Sequence, residues 1–204
     1  MSAHTATVRV VDDDAAFLTA IARLLKAAGY AVRTYSLAKE LLENLGDDAG
    51  CVVADLRMPG MDGLDLQGAL SRETNQLPMI FLTGEGDIPT TVKAMRQGAE
   101  DFLTKRGPKE DLFAAVDRAL ARDARQRGER AERRALHGRF DTLTARERDV
   151  LRQVVAGRLN KQIAADLAIS ERMVKLHRTA ITTKLHVRSV AELTRLVQAA
   201  GLFV

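Results

Sequence analysis

The chain has 204 residues, 46% apolar and 28% charged, the balance of a globular protein with one large domain or two ordinary ones. No apolar run approaches the roughly 20 residues of a membrane span, and Met1–Val11 shows no signal-peptide pattern, so a cytoplasmic location is expected. The net charge of +4 hides an asymmetry: residues 1–120 carry 13 Lys and Arg against 18 Asp and Glu (net −5), residues 121–204 carry 18 against 9 (net +9).

An acidic module joined to a basic one is therefore predicted, with a polyanion as partner of the second. Within the first, strands are predicted at Val8–Val11, Val32–Tyr35, Cys51–Ala54, Met79–Leu82 and Asp101–Leu103. Helical patterns fill residues 14–28, 37–45, 63–72, 88–97 and 109–120. Gly29 and Gly98 fall where a left-handed helix stop is expected, and Ser36 and Asp87 are candidate helix starts. Repeated βα units with right-handed crossovers give a parallel sheet covered on both faces. The single Cys51 excludes an internal disulfide, and its apolar strand predicts a buried, inert thiol.

Residues 121–141 interleave seven arginines with four acids and read as a solvated helical linker continuing the fifth helix, with Gly128 and Gly138 as candidate breaks. From residue 142 to 204 four short helices are predicted without strands. Thr144–Glu147 and Ser189–Glu192 are capping boxes, Asn160 and Ser170 are candidate caps, and Gly201 is a candidate stop.

The strand ends carry the chemistry. Asp12 and Asp13 follow the first strand, Asp55 ends the third before a Pro-Gly turn, Thr83 ends the fourth, and Lys105 follows the fifth. Open parallel sheets place their ligands at this carboxyl edge. Several carboxylates, a hydroxyl and a lysine gathered there make a site for phosphoryl transfer.

Asp12-Asp13, Asp55 with Met58-Pro59-Gly60, Thr83 and Lys105 together resemble the receiver domain of two-component response regulators, across residues 5–120. The resemblance implies an α/β, flavodoxin-like, doubly wound (βα)5 fold with sheet order 2-1-3-4-5. It also implies that Asp55 accepts a phosphoryl group from a partner sensor histidine kinase, with Mg2+ as cofactor. Asp13 and Asp55 are then direct metal ligands, the backbone carbonyl of Arg57 is a third, and Asp12 acts through water. Lys105 and Thr83 attend the phosphoryl oxygens, and Thr83 with Phe102 forms the switch. The chemistry fits: a hard cation and a compact ammonium remove the repulsion between a carboxylate and an incoming phosphate. Two departures are visible. Arg106 follows Lys105 where receiver domains usually have proline, often cis, so a trans, reshaped loop is expected. Glu85 adds an acid at the rim of the site.

Leu143–Leu151 (LTARERDVL), Asn160–Ala164 (NKQIA) and Ile169–His177 (ISERMVKLH) resemble the all-α tetrahelical helix-turn-helix domain of LuxR/NarL-type regulators. The resemblance implies that Lys175, Leu176, Arg178 and Thr179 face the major groove, while Lys161, Arg172 and Lys184 hold phosphates. His177 is expected to be packed or capping rather than a metal ligand. The last helix, Val190–Ala199, corresponds to the family's dimer-forming helix.

The order of receiver (1–120), linker (121–141) and helix-turn-helix domain (142–204) resembles the FixJ/NarL class of transcriptional response regulators. The run Leu82–Val92 is most like its FixJ branch. The expectation is a DNA-binding regulator whose phosphorylation on Asp55 promotes homodimerisation and binding to double-stranded promoter DNA, with RNA polymerase as a further candidate partner. The alternative is a phosphorylation-independent regulator whose degenerate receiver serves dimerisation; Arg106 and Glu85 are its support. No enzymatic role is expected beyond the receiver's own phosphorylation and dephosphorylation. An aspartyl-phosphate hydrolase of unrelated fold needs a second aspartate two residues after the nucleophile, where Arg57 stands.

Overall fold

Five apolar segments form the strands β1 (Thr7–Val11), β2 (Ala31–Tyr35), β3 (Gly50–Ala54), β4 (Met79–Thr83) and β5 (Asp101–Thr104). The structure, a computed structural model, describes residues 6–73, 76–84 and 88–202; Glu85 and the candidate helix start Asp87 lie outside them. All five strands pair in parallel, in the order β2-β1-β3-β4-β5. The crossovers are α1 (Ala15–Ala27), α2 (Ala38–Glu43), α3 (Gly63–Leu70) and α4 (Ile88–Arg96), and α5 (Lys109–Asp141) follows β5.

Alternation along the strands builds two cores. Val11, Val52, Ala54 and Phe81 meet Leu41 of α2, Leu66 of α3 and Ala94 of α4. Val8, Val10, Cys51, Val53, Ile80 and Leu82 meet Leu18, Ile21 and Leu25 of α1 and Leu112 and Val116 of α5. The central strands are buried on both faces, which is why they read as continuous apolar runs. Burial also pushes the Cys51 thiol up to about 12, so it stays protonated.

Local chemistry sets the ends. Asp14 caps α1 by accepting the N–H groups of Ala16 and Phe17. Gly29 and Gly98 take the left-handed conformation, at φ +94° and +90°. Ser36 is not the cap of α2: Leu37 holds that position, and Ser36 donates through its N–H and hydroxyl to Glu40.

Two compact units emerge, Met1–Arg127 and Gly128–Val204. The predicted solvated linker is corrected at its start. Asp123 is 1% exposed and accepts the Gly50 N–H at 2.8 Å and Arg127 Nε at 2.8 Å. Arg127 donates further to the carbonyls of Asp47 and Asp48. A buried acid held this way keeps residues 121–127 with the first unit. The helix passes through Gly128 and Gly138 without a break.

The second unit contains α6 (Ala145–Val155), α7 (Asn160–Asp166), α8 (Glu171–Leu185) and α9 (Val190–Ala199). Their apolar faces close on Val150, Leu151, Ile163, Val174, Ile181, Leu185, Leu193 and Val197. Thr144 and Glu147 form the capping box of α6, Ser170 caps α8, and Ser189 caps α9. Asn160 is not a cap. It is the first helical residue of α7, and the preceding Leu159 N–H donates to Gln162. Ala168 turns the chain between α7 and α8 at φ +51°, a conformation unusual for a residue with a Cβ. Among the described residues no helix is long and apolar enough to cross a membrane.

Candidate functional site

The carboxyl ends of β1, β3, β4 and β5 bring Asp12, Asp55, Thr83 and Lys105 to one edge of the sheet. Asp12 is 1% exposed, Asp55 7% and Thr83 2%. Lys105 Nζ lies 2.6 Å from Asp12 Oδ2 and 3.2 Å from Asp55 Oδ1, so one ammonium bridges two carboxylates. The second oxygen of each acid is taken by backbone: Asp12 Oδ1 accepts the Asp14 N–H at 3.0 Å, and Asp55 Oδ2 accepts the Arg57 N–H at 2.9 Å. The Lys105 N–H donates to the Thr83 carbonyl at 2.8 Å, which continues the β4–β5 ladder to the site. No peptide bond among the described residues is cis, so the Lys105–Arg106 bond is trans and the lysine reaches both acids.

Electrostatics follow from this geometry. Burial pushes the Asp12 carboxyl up, against the pull of Lys105. Burial alone lowers an ammonium, but the hydrogen bond and charge of Asp12, with those of Asp55, outweigh it and hold Lys105 above its ordinary value. The lysine is a permanent cation.

Asp13 is exposed, and among the described residues no three acidic, histidine or cysteine side chains close up as a ready-made metal cluster. Mg2+ does not need one. It is held by one or two carboxylates and keeps several waters. The oxygens of Asp12 and Asp55, two buried acids served by a single ammonium, with Asp13 next in the chain, fit that hard cation.

Phe102 is half-buried and packs on Phe81 with ring centroids 5.7 Å apart. Two residues that shape the site were not visible in the sequence. Phe17, in the first turn of α1, places its ring 4.5 Å below the Lys105 ammonium. Gly63 opens α3 so close to the Asp55 turn that a Cβ would stand 2.6 Å from the Asp55 carbonyl oxygen and 2.8 Å from the Phe81 ring.

In the second unit, Lys161, Arg172, Lys175, Leu176 and Thr179 are exposed, and Arg178 is half-buried. Val174, Ile181 and Leu185 face the core, and His177 is half-buried. Lys184, expected as a phosphate ligand, is engaged within the unit. Its ammonium donates to both oxygens of Glu147, at 3.0 and 2.7 Å, and to the Thr142 carbonyl at 3.2 Å. All three donors are used, because the capping acid of α6 is buried and needs a counter-charge. Burial pushes Glu147 up, but the Lys184 and Thr144 bonds outweigh it and hold the carboxyl below the usual range.

Comparison with known proteins agrees with both halves. Residues 8–117 match the response regulator receiver domain, and residues 141–197 match the bacterial regulatory proteins of the luxR family. The chain is 41% identical over 199 residues to the response regulator protein TmoT of Ectopseudomonas mendocina, covering 97% of this chain and 90% of TmoT. It is 36% identical over 196 residues to the transcriptional regulatory protein FixJ of Bradyrhizobium diazoefficiens, covering 96% of each. The solved structure of response regulator StyR aligns with a TM-score of 0.83 at 42% identity, covering 95% of this chain and 98% of that one.

Proposed function

Because the chain belongs to the response regulators that join a receiver domain to a LuxR-type DNA-binding domain, and so is a DNA-binding transcriptional regulator, we propose that phosphorylation of Asp55 controls it. The observation that carries this reading is the bridge from Lys105 to Asp12 and Asp55. It holds a nucleophilic carboxylate beside a fixed cation at the mouth of the sheet. We take residues 1–120 as the receiver, 121–141 as the connection and 142–204 as the DNA-binding domain.

In the proposed step a carboxylate oxygen of Asp55 attacks the phosphorus of a kinase phosphohistidine. A P–O bond forms, the P–N bond breaks, and its electron pair returns to the imidazole. Lys105 stays protonated and neutralises charge on the phosphoryl oxygens, while the Thr83 hydroxyl donates to one of them. Asp12, Asp13, Asp55 and the Arg57 carbonyl would hold Mg2+, which when bound supplies further positive charge against the incoming anion.

The new phosphate adds roughly −1.5 to −2 charges beside Thr83. This biases a two-state element, the face around Phe102, α4 and α5, toward a dimerising form, so that two basic domains bind two half-sites together. Ile88, Val92 and Met95 support that reading: they recur at helical spacing on α4, each more than 40% exposed. A sensor histidine kinase, promoter DNA and a second copy of the chain are the partners.

The test is to treat the full chain and Asp55→Asn with acetyl phosphate and Mg2+. One then measures acyl-phosphate mass, dimer fraction and retention of a randomised DNA duplex pool. Mass gain, dimerisation and tighter retention are expected for the wild type alone. Equal retention with and without the donor rejects control by phosphorylation and favours the phosphorylation-independent alternative.

A further inference from the structure

One contact in the second unit is unlike its neighbours. Arg178 Nη1, from the middle of α8, donates to Asn160 Oδ1, the first residue of α7, at 2.8 Å. A guanidinium only donates, so the amide oxygen must face it and the amide NH2 must point away, which fixes the orientation of Asn160. Arg178 is half-buried, whereas Lys175, Leu176 and Thr179 on the same stretch of α8 are exposed.

The partner's chemistry is informative. Arg148, Arg152 and Arg158 of the same unit lean on the acids Asp141, Asp149 and Asp166. An acid holds an arginine and cancels its charge; a neutral amide holds it and leaves the full positive charge in place. Among the described residues, Nε and Nη2 of Arg178 have no partner. The side chain is therefore anchored at one nitrogen, still cationic, and open along the rest of its donor edge.

A phosphate contact does not demand one fixed pose, because its oxygens accept the guanidinium fork from several directions. Bidentate reading of guanine O6 and N7 does, because the planar fork must lie in one plane with the base. We propose that Asn160 is a positioning residue that holds Arg178 in the one pose from which it reads a guanine edge in the major groove. The inference rests on the DNA-binding reading and adds to it which side chain specifies sequence and what aligns it.

The experiment selects duplexes from a randomised pool with the full chain, treated with acetyl phosphate, and with Asn160→Ala, Arg178→Ala, the double variant and Asn160→Asp. The wild type should enrich a site with a guanine whose preference falls roughly tenfold in Arg178→Ala. Asn160→Ala should lose preference at that same position and nowhere else, with the double variant no worse than Arg178→Ala. Asn160→Asp keeps the anchor but cancels charge, so it should retain the guanine preference while binding all duplexes more weakly. Far-UV circular dichroism melts separate loss of fold from loss of reading, and the aspartate variant decides the matter if alanine unfolds the unit. The proposal is overturned if Asn160→Ala keeps the wild-type preference at that position, or if Arg178→Ala weakens all sequences alike. If the wild type itself enriches nothing, the DNA-binding reading fails and takes the inference with it.

Discussion

Gly63→Ala tests whether the packing behind Asp55 is as tight as the structure has it. A Cβ at residue 63 would meet the Asp55 carbonyl oxygen at 2.6 Å, Phe81 Cε1 at 2.8 Å and Leu56 Cα at 3.1 Å. Two of these are backbone, and the Phe81 ring is fully buried and backed by Phe102, so none can swing aside cheaply. The start of α3 must shift, and the Gly63 N–H bond to the Leu56 carbonyl at 2.9 Å stretches with it. Overpacking of this kind costs about 1–3 kcal/mol. With a urea slope of about 2 kcal/mol per molar, a loss near 2 kcal/mol lowers the unfolding midpoint of the first unit by roughly 1 M. The measurement is a urea titration read by hydrogen exchange in peptides from β3 and β4, together with the rate of acyl-phosphate formation from acetyl phosphate. That rate should fall as well, since the displaced turn carries the nucleophile. An alanine variant with the wild-type midpoint and labelling rate would refute the claim that this glycine is required by close approach.

Three further outcomes are expected. Lys184→Met leaves the buried Glu147 with only its backbone and Thr144 bonds, and should cost the second unit about 1–3 kcal/mol; a binding defect with unchanged stability would instead return Lys184 to the DNA face. The same pair makes α6 acid-sensitive. Glu147 is held below its ordinary 4.5, so its stabilisation is complete above that pH and is lost as pH falls through the lower folded value. Exchange at α6 amides should therefore accelerate below about pH 4.5, beyond the intrinsic change, and Glu147→Gln should remove that step. Asp123→Ala strips Gly50 and Arg127 of a buried acceptor and should destabilise the first unit by about 2–4 kcal/mol, read as protection of the β3 amides. Unchanged protection there would show that the clamp contributes nothing.

Much of this was legible in the chain because the informative residues interrupt simple patterns. An apolar run that stops at an acid marks both a buried strand and its carboxyl edge, and the ends of four such runs gather Asp12, Asp55, Thr83 and Lys105. Residues whose role depends on a distant partner were not legible. Arg9 sits at the centre of β1, fully buried, because the carbonyls of Leu45 and Asp48 happen to approach it. Asp123 lies in a charge run that looks solvated, and only the Gly50 N–H beneath it makes it a structural acid. Asparagine before a helical run reads as a cap, but the Asn160 amide serves Arg178, eighteen residues away in sequence and adjacent in space.

Lys105 and Lys184 separate the two kinds of charge cluster. As sequence both are ordinary lysines, and in the structure both sit on buried acids at under 3 Å. The difference is balance. Lys184 faces one carboxylate, Glu147, whose Oε2 also accepts the Thr144 N–H, so that cluster is neutral and complete. Lys105 faces two, Asp12 and Asp55, with Asp13 beside them in the chain, so that cluster keeps at least one uncompensated negative charge in a poorly solvated place. Left alone, such an excess destabilises the site; met by a divalent cation, it becomes a means of drawing one in. The prediction is asymmetric. Magnesium should raise the unfolding midpoint of the first unit and leave that of the second unchanged, and Asp55→Asn, which removes one of the two paired acids, should shrink the first effect. Equal stabilisation of both units by magnesium would mean that the ion acts only as general screening, and that the surplus of acid over lysine has no binding consequence.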